Sequence, residues 1–121
     1  MKQLLEFRGL EVRRVAVQLA VHCQTLSRRL PHDEEFGLSQ QIRRSAVSVA
    51  SNIAEGFGRR SPRGYAHYLS VAHCSLLELD TQLEIAHGAG YVQSDDLSTR
   101  LRLIVEDRQH RRDRLERRRK Q

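Results

Sequence analysis

The apolar residues of this chain fall into four stretches whose spacing alternates between three and four, the period of one face of an α-helix. In the first, Val12, Ala16, Leu19, Cys23, Leu26 and Leu30 form a heptad-type seam. Pro31 and the acidic His32-Asp33-Glu34-Glu35 turn are expected to end it. In the second, Leu38, Ile42, Ala46, Val49, Ile53 and Phe57 make a stripe flanked by Ser45, Ser48, Ala50, Ser51 and Ala54. Small neighbours let another helix approach closely, so the pattern predicts a central helix from about Ser39 to Glu55. Its stop is expected at Gly56, where positive φ carries no steric penalty. A hydroxyl cap followed by proline, Ser61-Pro62, starts the third helix. Its seam runs Tyr65, Leu69, Ala72, Leu76, Leu79, Leu83, Ala86 before Gly88-Ala89-Gly90 breaks it. Ser94-Asp95-Asp96 opens a fourth, with acidic residues where the helix dipole favours them, continued by Leu97, Leu101 and Ile104.

Short connections between amphipathic helices predict an all-α fold, an antiparallel up-down-up-down four-helix bundle. The fourth seam lapses early. The next positions in register are Arg108 and Arg111, and burying arginine without a partner costs several kcal/mol. The bundle is therefore assigned to residues 1–107, with 108–121 as a basic C-terminal tail, either the end of the fourth helix or disordered.

At 121 residues the chain has room for one domain with a modest core, which makes oligomerisation a plausible source of further stability. It contains no apolar run long enough for a bilayer, and its first residues lack the apolar block of a signal peptide. Two cysteines without an export signal read as reduced thiols, so a cytoplasmic location is expected.

Charge changes the picture more than composition does. Arg108, Arg111, Arg112, Arg114, Arg117, Arg118, Arg119 and Lys120 face only Asp113 and Glu116, a net charge of +6 in the last fourteen residues. Residues 1–107 hold thirteen basic and thirteen acidic side chains, so the entire formal excess lies in the tail. In the expected topology the tail emerges beside the turn Arg59-Arg60-Ser61-Pro62-Arg63, itself basic and followed by a helix amino terminus. The opposite pole carries Asp33, Glu34, Glu35, Asp95 and Asp96. A pole of this kind suits phosphate backbones. The plainer reading is that a charged tail keeps a small domain in solution.

Chemistry-bearing residues are few. His22-Cys23 and His73-Cys74 repeat a dipeptide, but adjacent helical residues point about 100° apart and do not readily share a metal. Glu84-x-x-His87 has di-iron spacing, yet its one near copy, Asp107-x-x-His110, falls where the core has lapsed. Ser48 and Ser51 have no histidine placed near them by spacing, and no glycine-rich phosphate loop is present. Tyr65, Tyr68 and Phe57 sit on or beside seams, where packing is a better use than base stacking. Asn52 and Glu55 read as a structural polar pair, the amide satisfied by a neighbouring helix and the carboxylate meeting Arg59 or Arg43. No enzyme activity, cofactor or metal is expected.

The residues Gln41, Arg43-Arg44, Ser48, Asn52-Ile53-Ala54-Glu55-Gly56 and Arg59 resemble the signature of the 23S rRNA intervening-sequence protein family. The likeness spans about residues 7 to 105, beginning at Phe7, Leu10 and Val12 and continuing through Tyr68-Leu69, Ala72, Ser75-Leu76, Glu78-Leu79 and Gly90-Tyr91. Arg13 stands where the family usually has an aromatic residue, and Cys74 where it often has glycine. The resemblance implies a four-helix bundle in which Gln41, Arg43, Arg44, Ser48, Asn52, Ala54, Glu55, Gly56 and Glu78 are structural motif residues. It also implies assembly into a closed ring of five. A related protein, the accessory subunit of diversity-generating retroelements, binds nucleic acid and a reverse transcriptase. The resulting expectation is an oligomeric nucleic-acid adaptor acting through Arg59, Arg60, Arg63 and the tail. The alternative is a protein-interaction scaffold that makes no contact with nucleic acid.

Overall fold

Every described element is helical. A computed structural model describes the backbone of residues 2–93 and 101, and the side chains of residues 11–93 and Leu101. Helix α1 spans Lys2–Ser27, α2 Leu38–Phe57 and α3 Pro62–Gly88, with a single 3-10 turn at His32–Glu34. No strand occurs among the described residues. Leu97, Ile104 and the tail lie outside them, and a complete fourth helix is therefore not part of the described fold.

The seams read from the sequence are the core. Val12, Ala16, Leu19, Cys23, Leu26, Leu30, Ile42, Ala46, Val49 and Ile53 form one buried cluster with Leu69, Ala72, Leu76, Leu79, Leu83 and Ala86. Helix α2 packs against both α1 and α3, whereas α1 and α3 make no close backbone approach to one another among the described residues. The two outer helices thus stand across a diagonal from each other. Leu101 is helical and fully buried in the same cluster, with Tyr91 and Val92 packed against it.

Helix ends depart from expectation in informative ways. Helix α1 stops at Ser27 rather than at Pro31, and a turn carries Leu30 into the core. The buried Ser27 accounts for the join: its hydroxyl donates to the Gln24 carbonyl at 2.8 Å, and its own carbonyl accepts from Ser39 Oγ at 3.0 Å. The acidic turn is more than a solvated connection. A Glu34 carboxylate oxygen accepts the Leu38 N–H at 3.0 Å, capping α2 with a negative charge.

Gly56 is a second correction. It is helical and buried, and α2 runs one residue past it to Phe57 before Gly58 caps it with φ −76°. The glycine serves close approach and not chain reversal. A Cβ built there would lie 3.0 Å from the Tyr68 Cβ and 3.4 Å from the Tyr65 carbonyl oxygen, both fixed to the α3 backbone. The positive φ expected at this stop is found instead at Gly90, φ +80°.

A first prediction follows from this contact. Gly56→Ala should destabilise the fold by up to about 2 kcal/mol, because ~1–3 kcal/mol of overpacking is offset by only ~1 kcal/mol of helix propensity. Gly58→Ala meets only ordinary contacts, at 3.6 Å and 3.8 Å, and should be neutral or slightly stabilising. Urea unfolding of the two variants compares them directly.

Candidate nucleic-acid interface

The turn between α2 and α3 is built by its own backbone and one serine. Gly58 N–H donates to the Ala54 carbonyl and Arg59 N–H to the Gly56 carbonyl, both at 3.1 Å. Ser61 is extended, at φ −92° and ψ 145°, and its Oγ accepts the Gly64 N–H at 3.0 Å, with Pro62 at the first helical position. These bonds close α2 and open α3 within four residues, and they leave Arg60 and Arg63 exposed on the turn.

Arg59 is held differently. Its Nη2 donates to Glu55 Oε1 at 2.6 Å and to Tyr68 Oη at 2.8 Å, and its guanidinium carbon lies 4.8 Å from the Tyr68 ring centroid. His67 meets the same ring edge-on at 5.2 Å. Bidentate donors with aromatic support lose little further entropy on binding, but part of this guanidinium is already committed. Arg59 and Glu55 remain about half exposed, 45% and 54%, so their pair adds little stability and still presents an edge to solvent. The four-residue spacing of Glu55 and Arg59 announced the pair. Nothing in the sequence announced Tyr68 as its platform.

The position of this turn is set by packing. Val12, ten residues inside α1, lines one small hollow with Ile53, Gly56 and Phe57 at the end of α2 and Tyr65 and Leu69 in the first turns of α3, so the α2–α3 turn lies level with the middle of α1. The acidic turn lies at the far end of α2, whose 20 residues separate the two by about 30 Å. Asp33, Glu34 and Glu35 therefore stand opposite Arg60 and Arg63. Arg108, Arg111, Arg112, Arg114, Arg117, Arg118, Arg119 and Lys120, the rest of the expected interface, lie outside the described residues.

The motif residues scatter over different tasks instead of converging on one site. Arg43 reaches back to the α1 end, its Nη1 donating to Ser27 Oγ at 3.4 Å and its Nη2 to the Glu35 carbonyl at 3.2 Å. It therefore ties the acidic pole together and does not meet Glu55. Asn52 also differs from expectation. Its amide donates within its own helix, to the Ser48 carbonyl at 2.8 Å and Ser48 Oγ at 3.2 Å. Ser48 then makes the link between helices, 2.9 Å from Ser75 Oγ on α3. Gln41, Arg44, Ala54 and Glu78 are exposed on outer faces. Cys23 is buried and Cys74 exposed. No group of three potential metal ligands occurs among the described residues, and no helix there is long and apolar enough to cross a membrane.

An all-helical chain with a packed glycine and a serine–asparagine relay at its centre is a small helical-bundle protein of a recognisable kind. The chain belongs to the 23S rRNA-intervening sequence protein family, which it matches over residues 8–109. Its fold is similar to the crystal structure of a protein of unknown function from the S23 ribosomal protein family of Bacteroides thetaiotaomicron. The TM-score is 0.75 at 22% identity, over 83% of this chain and 96% of that one. No curated protein matches the chain.

Proposed function

We propose that this protein is a non-enzymatic, homo-oligomeric four-helix bundle that holds RNA or DNA by its phosphate backbone, without reading sequence. The observation that carries the proposal is charge segregation: a domain balanced in charge ends in a tail of net +6, while its exposed basic turn lies opposite its acidic one. The diagonal placement of α1 and α3 leaves a side for a fourth helix, and the buried Leu101 supports one there. Such a helix returns antiparallel to α3 and delivers residues 108–121 to the pole of Arg60 and Arg63. The nucleic-acid binding of a protein related to this family, the retroelement accessory subunit, suggests the same partner class by analogy alone. A ring of five, implied by the same resemblance, would gather every basic pole on one face, so that individually weak contacts add on one polyanion. A cytoplasmic location and the lack of a cofactor are part of this reading.

The second reading, a protein scaffold, draws on the apolar residues left outside, Phe36 at 82% exposure above all. Salt-dependent binding separates the two. The full chain should retain structured RNA or duplex DNA at low salt and release it steeply as salt rises; no retention at low salt removes the nucleic-acid reading. Within it, Arg60→Ala with Arg63→Ala should lower the slope of log affinity against log salt by ~1–2. Arg59→Ala should change it less, since Glu55 and Tyr68 already hold that guanidinium.

A further inference from the structure

The stretch from Phe36 to Leu77 carries five arginines and a single carboxylate, Glu55. That carboxylate is spent on one of the five. Glu55 Oε1 lies 2.6 Å from Arg59 Nη2, and the Tyr68 hydroxyl accepts from the same nitrogen at 2.8 Å. Both hydrogens of Nη2 are therefore in use, while Nη1 and Nε enter no hydrogen bond among the described residues. Arg59 lies past the end of α2 at Phe57, so the pair is not the usual support between two turns of one helix.

The two partners of Arg59 act differently. Tyr68 positions it: the guanidinium carbon sits 4.8 Å from the ring centroid, and His67 braces that ring edge-on. The arginine stem is guided as well. A Cβ built on Gly64 would come within 3.1 Å of Arg59 Cβ and 3.2 Å of its Cγ, so glycine leaves the stem its path across the first turn of α3. None of these supports involves Glu55. The half-exposed ion pair stabilises the fold little, and what Glu55 adds is negative charge. A phosphate approaching this guanidinium finds part of its donor edge filled and a like charge beside it.

We infer that Arg59, seated on Tyr68, is a preset phosphate ligand and that Glu55 is its internal counter-ion, which a bound phosphate must displace. The inference rests on the nucleic-acid reading and concerns how that surface is regulated. Arg60 and Arg63 are exposed and enter no ion pair among the described residues, so they meet phosphate first. Arg59 joins them only where a phosphate comes close enough to take Nη2 from Glu55. An internal competitor of this kind lowers the affinity of the turn without changing the number of arginines present.

Duplex DNA binding by the full chain, titrated across salt, tests this. Glu55→Gln should bind about 5-fold tighter at about 0.1 M salt and steepen the slope of log affinity against log salt by ~1, one further phosphate contact. Asp33→Asn removes a like charge about 30 Å away, well beyond the screening length, and should change neither. In the Arg59→Ala chain the Glu55→Gln change should bring no gain, because the residue it unmasks is missing. A gain that persists without Arg59, or that Asp33→Asn matches, overturns the inference, since Glu55 is then background charge. Unchanged or weaker binding by Glu55→Gln overturns it from the other side: the carboxylate then leaves Arg59 available, or orients it. In each of these cases the wild-type chain still retains DNA, and the nucleic-acid reading stands. No retention by any of these chains at low salt removes that reading together with the inference built on it.

Discussion

A chain cut after Asp107 is expected to bind structured RNA or duplex DNA roughly 100-fold more weakly than the full chain at about 0.1 M salt. The cut removes eight basic and two acidic side chains and brings the formal charge from +6 to zero. Each phosphate contact contributes about 0.9 to the salt slope on duplex DNA, so a tail seated on about four phosphates should lower the slope by ~3–4 when removed. Arg60 and Arg63 remain, which is why the residual binding should still be salt-dependent. Circular dichroism should show the fold retained, because every core residue described lies before the cut. Unchanged affinity and slope would leave the tail without a role in binding and would favour the scaffold reading.

The second large effect concerns the core. Leu101→Ala should lower stability by about 2–5 kcal/mol, the range for deleting a fully buried leucine from a core that cannot collapse around the void. The residue lies beyond the three described helices and is buried in the same cluster as their seams. A loss of that size, read by chemical denaturation, means that the segment after residue 93 completes the bundle. A change under about 0.5 kcal/mol, the size of a surface substitution, would mean that it does not.

These outcomes bear on what the chain makes legible by itself. The period of its apolar residues located every described helix, and each seam residue from Val12 to Ala86 that had been assigned to the heptad pattern is buried or half-buried. Periodicity works here because burial depends on which way a residue points, and helical geometry dictates that. It fails where a partner decides. Ser27, Ser39, Ser45 and Ser75 are buried, but the bonds of Ser27, Ser39 and Ser75 run to groups on other turns or helices, which spacing does not reveal. Gly56 could have signalled a stop or a close approach, and only the position of Tyr68 decides between them. The Glu55–Arg59 pair could be read from its four-residue spacing, but the Tyr68 hydroxyl and ring that also hold Arg59 could not.

Function was less legible than fold for a related reason. The motif that identifies the family is spent on the scaffold: Arg43 fastens the α1–α2 turn, Ser48 joins α2 to α3 while Asn52 bonds to Ser48 within α2, and Gly56 sets the separation of the two helices. What varies with function is left to exposed side chains, whose roles depend on molecules outside the chain. Charge is the exception, since its distribution along a known topology predicts where anions collect.

The shared pole of tail and turn is tested most directly by distance. Spin labels at Asp107→Cys and Arg60→Cys, with Cys74 replaced by serine and labelled chains diluted into unlabelled ones, should lie within about 20 Å. The pair Asp107→Cys and Asp33→Cys should be separated by about 30 Å, the length of the helix between the two turns. A long first distance with a short second would place the arginine-rich tail at the acidic end and contradict the account.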